Sequence, residues 1–392
     1  MSMSDKSMLI IREDAFCRIN GKLYIVGSAN NELYRNNVFQ MGRITVLAWE
    51  VDASKYDLSR LKEFENIEGC EIHLHPENVS FREKVRIIRE EVKGSDCVCV
   101  KMTLLEAYWG CHYALKYHKP FVIESGTWAW GSLKDHGGSV KYKLAALPME
   151  LLAKYYHRRS KYIIYVSRFY LQKYYKSSAK QIGCPDVVLQ EVGNEVLERR
   201  IGMITSKNRQ SKFVLGLIGQ SHVEYRGHDT LIKTAATLKE AGYNVEVRFL
   251  GGGSADDKRR KFAEECGIAD DVYFDGYMEH NKVLEWIDGI DVLVMPTLQE
   301  TLGRSIIEAM GRGCPVIGSS ETAIPEQIGS DCIAPARDVW AISRIIKKMA
   351  ENTEYMKLCA IENFYRAKKY NSSYSNAEKK QFYDEFYRDN NL

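Results

Sequence analysis

Glu300 and Glu308 stand eight positions apart in the run DVLVMPTLQETLGRSIIEAMGRGCPVIGS. The apolar stretch from Val292 to Pro296 reads as a buried strand, the polar residues after it as a loop, and the chain from about Arg304 as a helix with Glu308 in its second turn. Backbone amides from Thr301 through Leu302 and Gly303 to Arg304 then point out of the helix start, where the dipole favours an anion such as phosphate. Gly303 lets a ligand come close to the backbone. Glu300, on the loop, is placed to accept hydrogen bonds from ligand hydroxyls, and Glu308 lies about 7 Å further on at the helical rise per residue. That span matches the reach from a sugar ring to a nucleotide ribose, whose two hydroxyls a carboxylate accepts well.

A second run, LGLIGQSHVEYRGHDTLIKTAATLK, places Gly219 after a strand, then Gln220 and a polar loop, then Arg226 and Gly227 ahead of an amphipathic helix. This arrangement suits a guanidinium aimed at a bound diphosphate. A third, FLGGGSADD, sets Gly251, Gly252 and Gly253 behind a strand, and VYFDGYMEH follows with Gly276 and Tyr277. Three glycines alone permit either a tight turn or a close ligand, and Tyr277 fits a core or rim aromatic as well as a base-stacking one.

Elements that would hold these residues are legible around them. From Phe213 onward short β-rich runs, FVLGLIG, VEVRFLG, VYFDG, DVLVMP, PVIGS and DCIAPA, alternate with helical windows beginning near His228, Ala255, Asn281, Arg304, Ala323 and Val339, with Gly242 and Gly267 in stop positions. Strict alternation predicts a parallel sheet covered on both faces, with ligands beyond the carboxyl ends of its strands. The N-terminal half reads less regularly: KLYIVG, RITVLAWEV, CEIHLH, DCVCVKM, PFVIES, KYIIYVS and DVVLQEVG are strand candidates, with helical windows at 104–118 and 144–159. The polar run ERRIGMITSKNRQSK is taken as the linker, and the aromatic stretch after Asn363 as a helix with rings to bury.

The expected boundaries are 1–205 for the first domain, 206–364 for the second, and 365–392 for a helix packing back on the first; 392 residues suit two such cores. With 45% hydrophobic and 27% charged residues the composition is that of an ordinary folded protein. No apolar run reaches the roughly 20 residues of a membrane span, and the N-terminus lacks a signal-peptide core, so a cytoplasmic location is expected. Ten scattered cysteines lack zinc-site spacing and are read as reduced, with Cys97 and Cys99 on one strand face as core packing. Between Lys141 and Lys180 ten Lys and Arg face a single acid, Glu150, amid nine aromatic rings. Such a segment suits an anionic membrane surface, nucleic acid, or a solvated helix face beside a buried strand. No nucleic-acid recognition motif accompanies it, so nucleic acid is not expected as a partner.

Glu300, Thr301, Leu302, Gly303, Glu308, Ala309 and Met310 together resemble the signature of the retaining GT-B glycosyltransferases of the large E-x7-E family, the glycosyltransferase family four type. Sucrose-phosphate synthases, mannosyltransferases and capsular or exopolysaccharide enzymes typify that group. The resemblance implies an α/β, GT-B fold: two Rossmann-like doubly wound domains facing across a cleft, with 206–364 binding the nucleotide-sugar donor and 1–205 the acceptor. It implies that Glu300 contacts the donor sugar, that the amides at Thr301, Leu302 and Gly303 bind sugar and phosphate, and that Glu308 holds the ribose. Gly219, Gln220, Gly227, Gly252 and Tyr277 fall at the family's further donor-binding positions, where Gln220 replaces a usual Arg and Arg226 takes the place of a Lys before Gly-His-Asp. Arg226 and Glu300 are thus the expected catalytic pair, with His222 a partial substitute for the missing charge or a solvated loop residue.

On the acceptor side many members of the family carry a His in the loop after the strand corresponding to PFVIES; Glu124 occupies that place here, either shaping the acceptor side or standing as a satisfied strand-end carboxylate, and His136 lies further along. Implied by the resemblance are a UDP-sugar in preference to a GDP-sugar, no metal or other cofactor, retention of configuration, and a saccharide acceptor on a polyprenyl lipid at the inner face of the plasma membrane. The alternatives are a same-fold sugar-nucleotide epimerase or phosphorylase, or a catalytically weak nucleotide-sugar-binding subunit, which Gln220 keeps in play.

Overall fold

The computed structural model describes residues 6–27, 29–58, 61–102, 105–134, 140–185, 187, 189, 192–208 and 211–392. Two compact units emerge: Met1–Ala129 with Leu147–Cys184 and Ser373–Leu392, and Trp130–Ala146 with Pro185–Ser372.

In the first unit the strands are β1 (Met8–Ile19), β2 (Lys22–Val26), β3 (Ile44–Glu50), β4 (Lys62–Glu63), β5 (Cys70–Pro76), β6 (Cys97–Met102), β7 (Phe121–Ser125), β8 (Tyr162–Tyr165) and β9 (Lys180–Gly183). A parallel sheet runs β5, β3, β1, β6, β7, β8, β9. β1 is long enough to serve twice: its first half lies between β3 and β6, and its second half lies between β3 and β2, on which it turns back as an antiparallel hairpin. Asn20 and Gly21 make that turn with φ of 50° and 80°, the positive values a two-residue hairpin matching strand twist demands. β6, as CVCVKM, is buried at Cys97 through Val100 on both faces, as an inner parallel strand must be. Burial pushes the Cys97 thiol up to about 12, so it packs as a small apolar group. The C-terminal helix Ser372–Asp389 sends Phe382, Tyr383 and Phe386 into the core formed by Met8, Val46, Cys99 and Ile164.

β1 was not among the strand candidates, because Arg12 and Asp14 interrupt its apolar pattern; they pair with each other at 2.7 Å where the register shifts between Ile11 and Asp14. The candidate DVVLQEVG falls partly outside the described residues, and of it Leu189 forms an isolated bridge with Asn371.

The second unit holds a six-stranded, all-parallel sheet: β10 (Phe213–Ile218), β11 (Val245–Leu250), β12 (Val272–Gly276), β13 (Val292–Met295), β14 (Val316–Ser319) and β15 (Ile333–Ala334), in the order β12, β11, β10, β13, β14, β15. All six match the runs singled out by composition. Helices His228–Glu240, Asp256–Glu265, His280–Gly289, Arg304–Gly311 and Val339–Glu351 follow, and Gly242 and Gly267 take φ of 84° and 71° behind two of them. The window expected at Ala323 is a single 3-10 turn, Ile324–Glu326, with Pro325 at its start.

The boundary expected at 205 moves upstream to Cys184 and Pro185. The run read as a linker is largely a helix, Asn194–Ser206, fixed to the second unit by Arg200, which is 2% exposed and donates to the carbonyls of Ile290 (2.6 Å) and Ile287 (2.9 Å). A buried guanidinium holding helix-end and strand-start carbonyls explains why a polar run is ordered.

Candidate functional site

Strand order in the second unit reverses between β10 and β13, and a ligand crevice opens at the carboxyl ends of strands where such a reversal occurs. The segments leaving those two strands are Gly219 to Gly227 and Pro296 to Gly303, so topology alone brings two of the sequence motifs together.

Arg226 ends a 3-10 turn, Glu224–Arg226, and its Nη1 donates to Glu300 Oε2 at 2.6 Å. The side chains are 27% and 15% exposed, so the pair is neither sealed nor fully solvated. Gly219 makes room for the Arg226 stem: a Cβ there would stand 3.3 Å from its Cγ and Cδ. Gly227 has φ of 87°, and an added Cβ would meet the Pro296 carbonyl oxygen at 2.4 Å, so only glycine lets the turn lie against the end of β13. Leu298 N donating to Tyr225 O at 2.9 Å ties the two segments together.

The three glycines after β11 lie on the same side. A Cβ on Gly251 would meet the Gly219 carbonyl oxygen at 2.8 Å, one on Gly252 the Tyr277 ring at 3.2 Å, and one on Gly253 the Ser221 hydroxyl at 2.7 Å. Gly252 and Tyr277 are therefore neighbours, and Tyr277 presents its ring to solvent at 65% exposure. Gln220 is exposed beside this cradle.

Beyond Glu300, whose carbonyl accepts from Ala323 N at 2.9 Å, the helix Arg304–Gly311 starts on Gly303 with no side-chain cap. The Arg304 amide turns back to the Leu302 carbonyl at 2.9 Å, so the amides that follow it, at Ser305 and Ile306, are those an anion standing before the helix would meet. Leu302 anchors the loop by packing against the second unit's core, while Thr301 and Glu308 stay partly exposed.

The structure adds residues that sequence reasoning passed over. His228, 1% exposed, bonds the Gly219 carbonyl through Nε2 at 3.3 Å. Burial first and the Arg259 charge second lower its pKa to about 3, so it steadies the loop as a neutral ring. Ser221 Oγ and Gln327 Oε1 are buried without hydrogen-bond partners among the described residues, the first beside Gly253 and the second 2.8 Å from where a Gly303 Cβ would sit. Buried polar oxygens without partners are uncommon, and these two flank the glycines that open the crevice. A signal existed for Gln327, which lies in the helical window expected at Ala323, whereas Ser221 and His228 lay in a run read for its glycines and its arginine.

On the first unit Glu124 is 8% exposed; Tyr383 donates to its Oε1 at 2.8 Å and Lys101 Nζ lies 3.2 Å from its Oε2. With both oxygens engaged inside the core, Glu124 fastens the C-terminal helix to β7, and we assign it that role in place of the acceptor-side one. His136 lies outside the described residues.

Residues 205–364 match the family Glycosyl transferases group 1. Protein CapJ of Staphylococcus aureus is 27% identical over 310 residues, covering 78% of this chain and 76% of that protein. The amylovoran biosynthesis glycosyltransferase AmsK of Erwinia amylovora is 25% identical over 137 residues, 33% of this chain and 35% of that one. Anabaena HepE, solved in complex with UDP-glucose, superposes with a TM-score of 0.65 at 14% identity, over 97% of this chain and 99% of that chain. At that identity the likeness concerns the fold, which is the α/β GT-B fold.

Proposed function

We propose that this chain, whose residues 205–364 form a glycosyl transferases group 1 domain, moves a hexose with retention of configuration from a UDP-sugar to a saccharide acceptor carried on a polyprenyl lipid, in the assembly of a cell-surface polysaccharide. The observation that carries the reading is the Arg226–Glu300 contact of 2.6 Å at the strand-order reversal, flanked by the glycine cradle. A diphosphate laid on the uncapped helix start and the glycines would come within reach of the Arg226 guanidinium. Its attached sugar would offer hydroxyls to Glu300, and the ribose would extend toward Glu308. AmsK acts in amylovoran biosynthesis and HepE binds UDP-glucose, which supports the polysaccharide and the uridine parts of the proposal.

In the reaction proposed, the acceptor hydroxyl attacks the anomeric carbon from the side on which the nucleotide leaves. The anomeric C–O bond to phosphate breaks, and the hydroxyl proton passes to the departing phosphate oxygen. Arg226 and the helix-start amides offset the charge that develops there, and no metal ion is required. The test is a thermal-shift panel of nucleotide sugars, followed by NMR of the product's anomeric coupling. A melting temperature raised most by a UDP-sugar is expected, since a ligand that binds only the folded state stabilises it. Inversion at the anomeric carbon, or turnover abolished by EDTA and restored by magnesium, overturns the mechanism. Donor binding without transfer to any acceptor would point to the catalytically weak subunit.

A further inference from the structure

All ten cysteines are free, and two of them meet inside the second unit: Cys332 Sγ lies 3.6 Å from Cys359 Sγ. Cys332 ends the 3-10 turn Ser330–Cys332 that feeds β15, and Cys359 stands in the second turn of the helix Thr353–Ala367. The turn lies close against that helix, since a Cβ on Gly329 would stand 2.9 Å from Glu362 Oε2. The pair is 5% and 8% exposed, where Cys99, Cys111 and Cys314 are sealed at 0%. Tyr355 reaches over it: the hydroxyl lies 3.9 Å from Cys332 Sγ and donates to the Asp331 carbonyl at 3.4 Å. The Lys348 ammonium covers that ring, 3.7 Å from its centroid. Of the ten thiols Cys359 alone is pulled below its ordinary pKa, first by the hydrogen bond from Cys332 and, against the opposing effect of burial, by Tyr355 and the Lys348 charge. Cys332 is raised by the same contact, and the eight others are raised by burial. Two touching thiols of unlike acidity, one ionising and the other keeping its proton, suit a stepwise oxidation.

We propose that Cys332 and Cys359 form an oxidation site, reduced at rest and closed to an intramolecular disulfide by hydrogen peroxide or another small hydroperoxide. The Cys359 thiolate attacks a peroxide oxygen; the O–O bond breaks, and the departing hydroxide takes up a proton to leave as water. Cys332 Sγ then attacks the sulfur of the resulting sulfenic acid, the S–O bond breaks, and the hydroxyl leaves as a second water with the Cys332 proton. Two thiols lose two electrons and one peroxide gains them. The sulfurs close from 3.6 Å to about 2.05 Å, so each moves by less than one C–S bond length. The bridge fastens to the helix a segment that also props the Glu300 loop: upstream of Cys332, Ala323 N donates to Glu300 O at 2.9 Å and Gln327 Nε2 to Gly303 O at 3.5 Å. Ordinary core packing is the competing reading of two buried thiols, and the two readings differ in which cysteines peroxide reaches first.

The test uses the full chain and neither donor nor acceptor, so it stands apart from the transferase reading. Treatment with hydrogen peroxide, blocking with iodoacetamide and peptide mapping should recover one cross-linked peptide joining Cys332 and Cys359, two hydrogens lighter than its parts and released by dithiothreitol. It should form before Cys70 and Cys266 are modified, although both are more exposed. Cys332→Ser should leave a sulfenic acid on Cys359 that dimedone traps, and Cys359→Ser should give neither bridge nor adduct at Cys332. Closing the intervening loop should raise the melting temperature by roughly 5 to 10 °C, a gain lost on reduction. The wild-type map needs no variant, so it decides the matter even where a variant fails to fold. Cys332 and Cys359 recovered as free thiols while Cys70 or Cys266 is oxidised overturns the proposal and returns the pair to core packing. A bridge that lowers the melting temperature overturns it too, because the fold would then resist the geometry.

Discussion

Each unit presents a carboxylate that its sequence marks as a site residue, and each carboxylate faces a cation. Glu300 sits on the loop after β13 with Arg226 at 2.6 Å, the side chains 15% and 27% exposed. Glu124 sits inside β7 with Lys101 at 3.2 Å, the side chains 9% and 12% exposed, and takes a second partner from the C-terminal helix in Tyr383. Only one Glu300 oxygen has a hydrogen-bond donor among the described residues. A carboxylate held in the core by a lysine and a tyrosine fixes one element to another. A carboxylate engaged on one side, at the mouth of a strand-order reversal, can exchange partners when a ligand arrives.

Removing either carboxylate separates the two cases. Glu124→Ala removes the partner of Lys101 and the acceptor of Tyr383 from the core at once, so calorimetry should record a loss of about 3 to 5 kcal/mol in the unfolding free energy, with kcat per folded molecule retained. Glu300→Ala or Arg226→Ala should do the reverse, lowering kcat by about a hundred- to a thousandfold while Tm stays near wild type. If Glu124→Ala abolished transfer with Tm intact, the assignment of Glu124 to the core would have to be withdrawn.

The same contrast explains what could be read in the sequence. Strands β10 to β15 were legible because each is a short apolar run between glycines or polar turns, and the switch-point loops then followed from their order. Arg226 and Glu300 were legible because both leave strand ends. The first unit hid its pattern in buried charge: the Arg12–Asp14 pair broke up β1 and Glu124 read as an acceptor-side acid as readily as a strand-end one, while in the second unit Arg200 belongs to a packed helix that read as a linker. Each is a polar group whose partner lies far along the chain or in a bulge, and no local spacing announces such a partner. Ser221 and Gln327 escaped for the same reason, since their significance is a missing bond within a fold.

Acidification should sharpen the contrast through one histidine in each unit. Burial lowers the His157 pKa to about 4, its ring stacked 4.4 Å from Tyr175 and bonded to Ser125 Oγ at 3.0 Å. His228 is lowered to about 3. Both are neutral in the fold and protonate near 6.5 when unfolded, so below that value the unfolded chain binds more protons. Their stabilisation is complete above the unfolded pKa and declines as pH falls through about 4 in the first unit and about 3 in the second. Calorimetry should show a slope approaching about 1.4 kcal/mol per pH unit for each histidine between roughly pH 6 and 5, flattening toward pH 7. His157→Gln should halve the slope attributable to the two; an unchanged slope would mean that His157 is already charged in the fold.

The smallest effect tests whether the open pair works alone. Gln220 lies exposed next to Gly219, beneath the Arg226 stem, at a position where the resembling family places a second cation. A guanidinium there would face the same diphosphate in a partly solvated crevice, where screening limits its contribution. Gln220→Arg should therefore raise kcat/KM for the donor by about tenfold, and the gain should shrink as salt is added. The substitution asks little of the fold, because the side chain points to solvent and the backbone bond from Ser221 N to Gly252 O at 2.9 Å is untouched. A salt-insensitive gain would indicate packing in place of charge. No gain at any salt concentration would place the diphosphate away from this loop, and with it the part of the site built on the β10 turn.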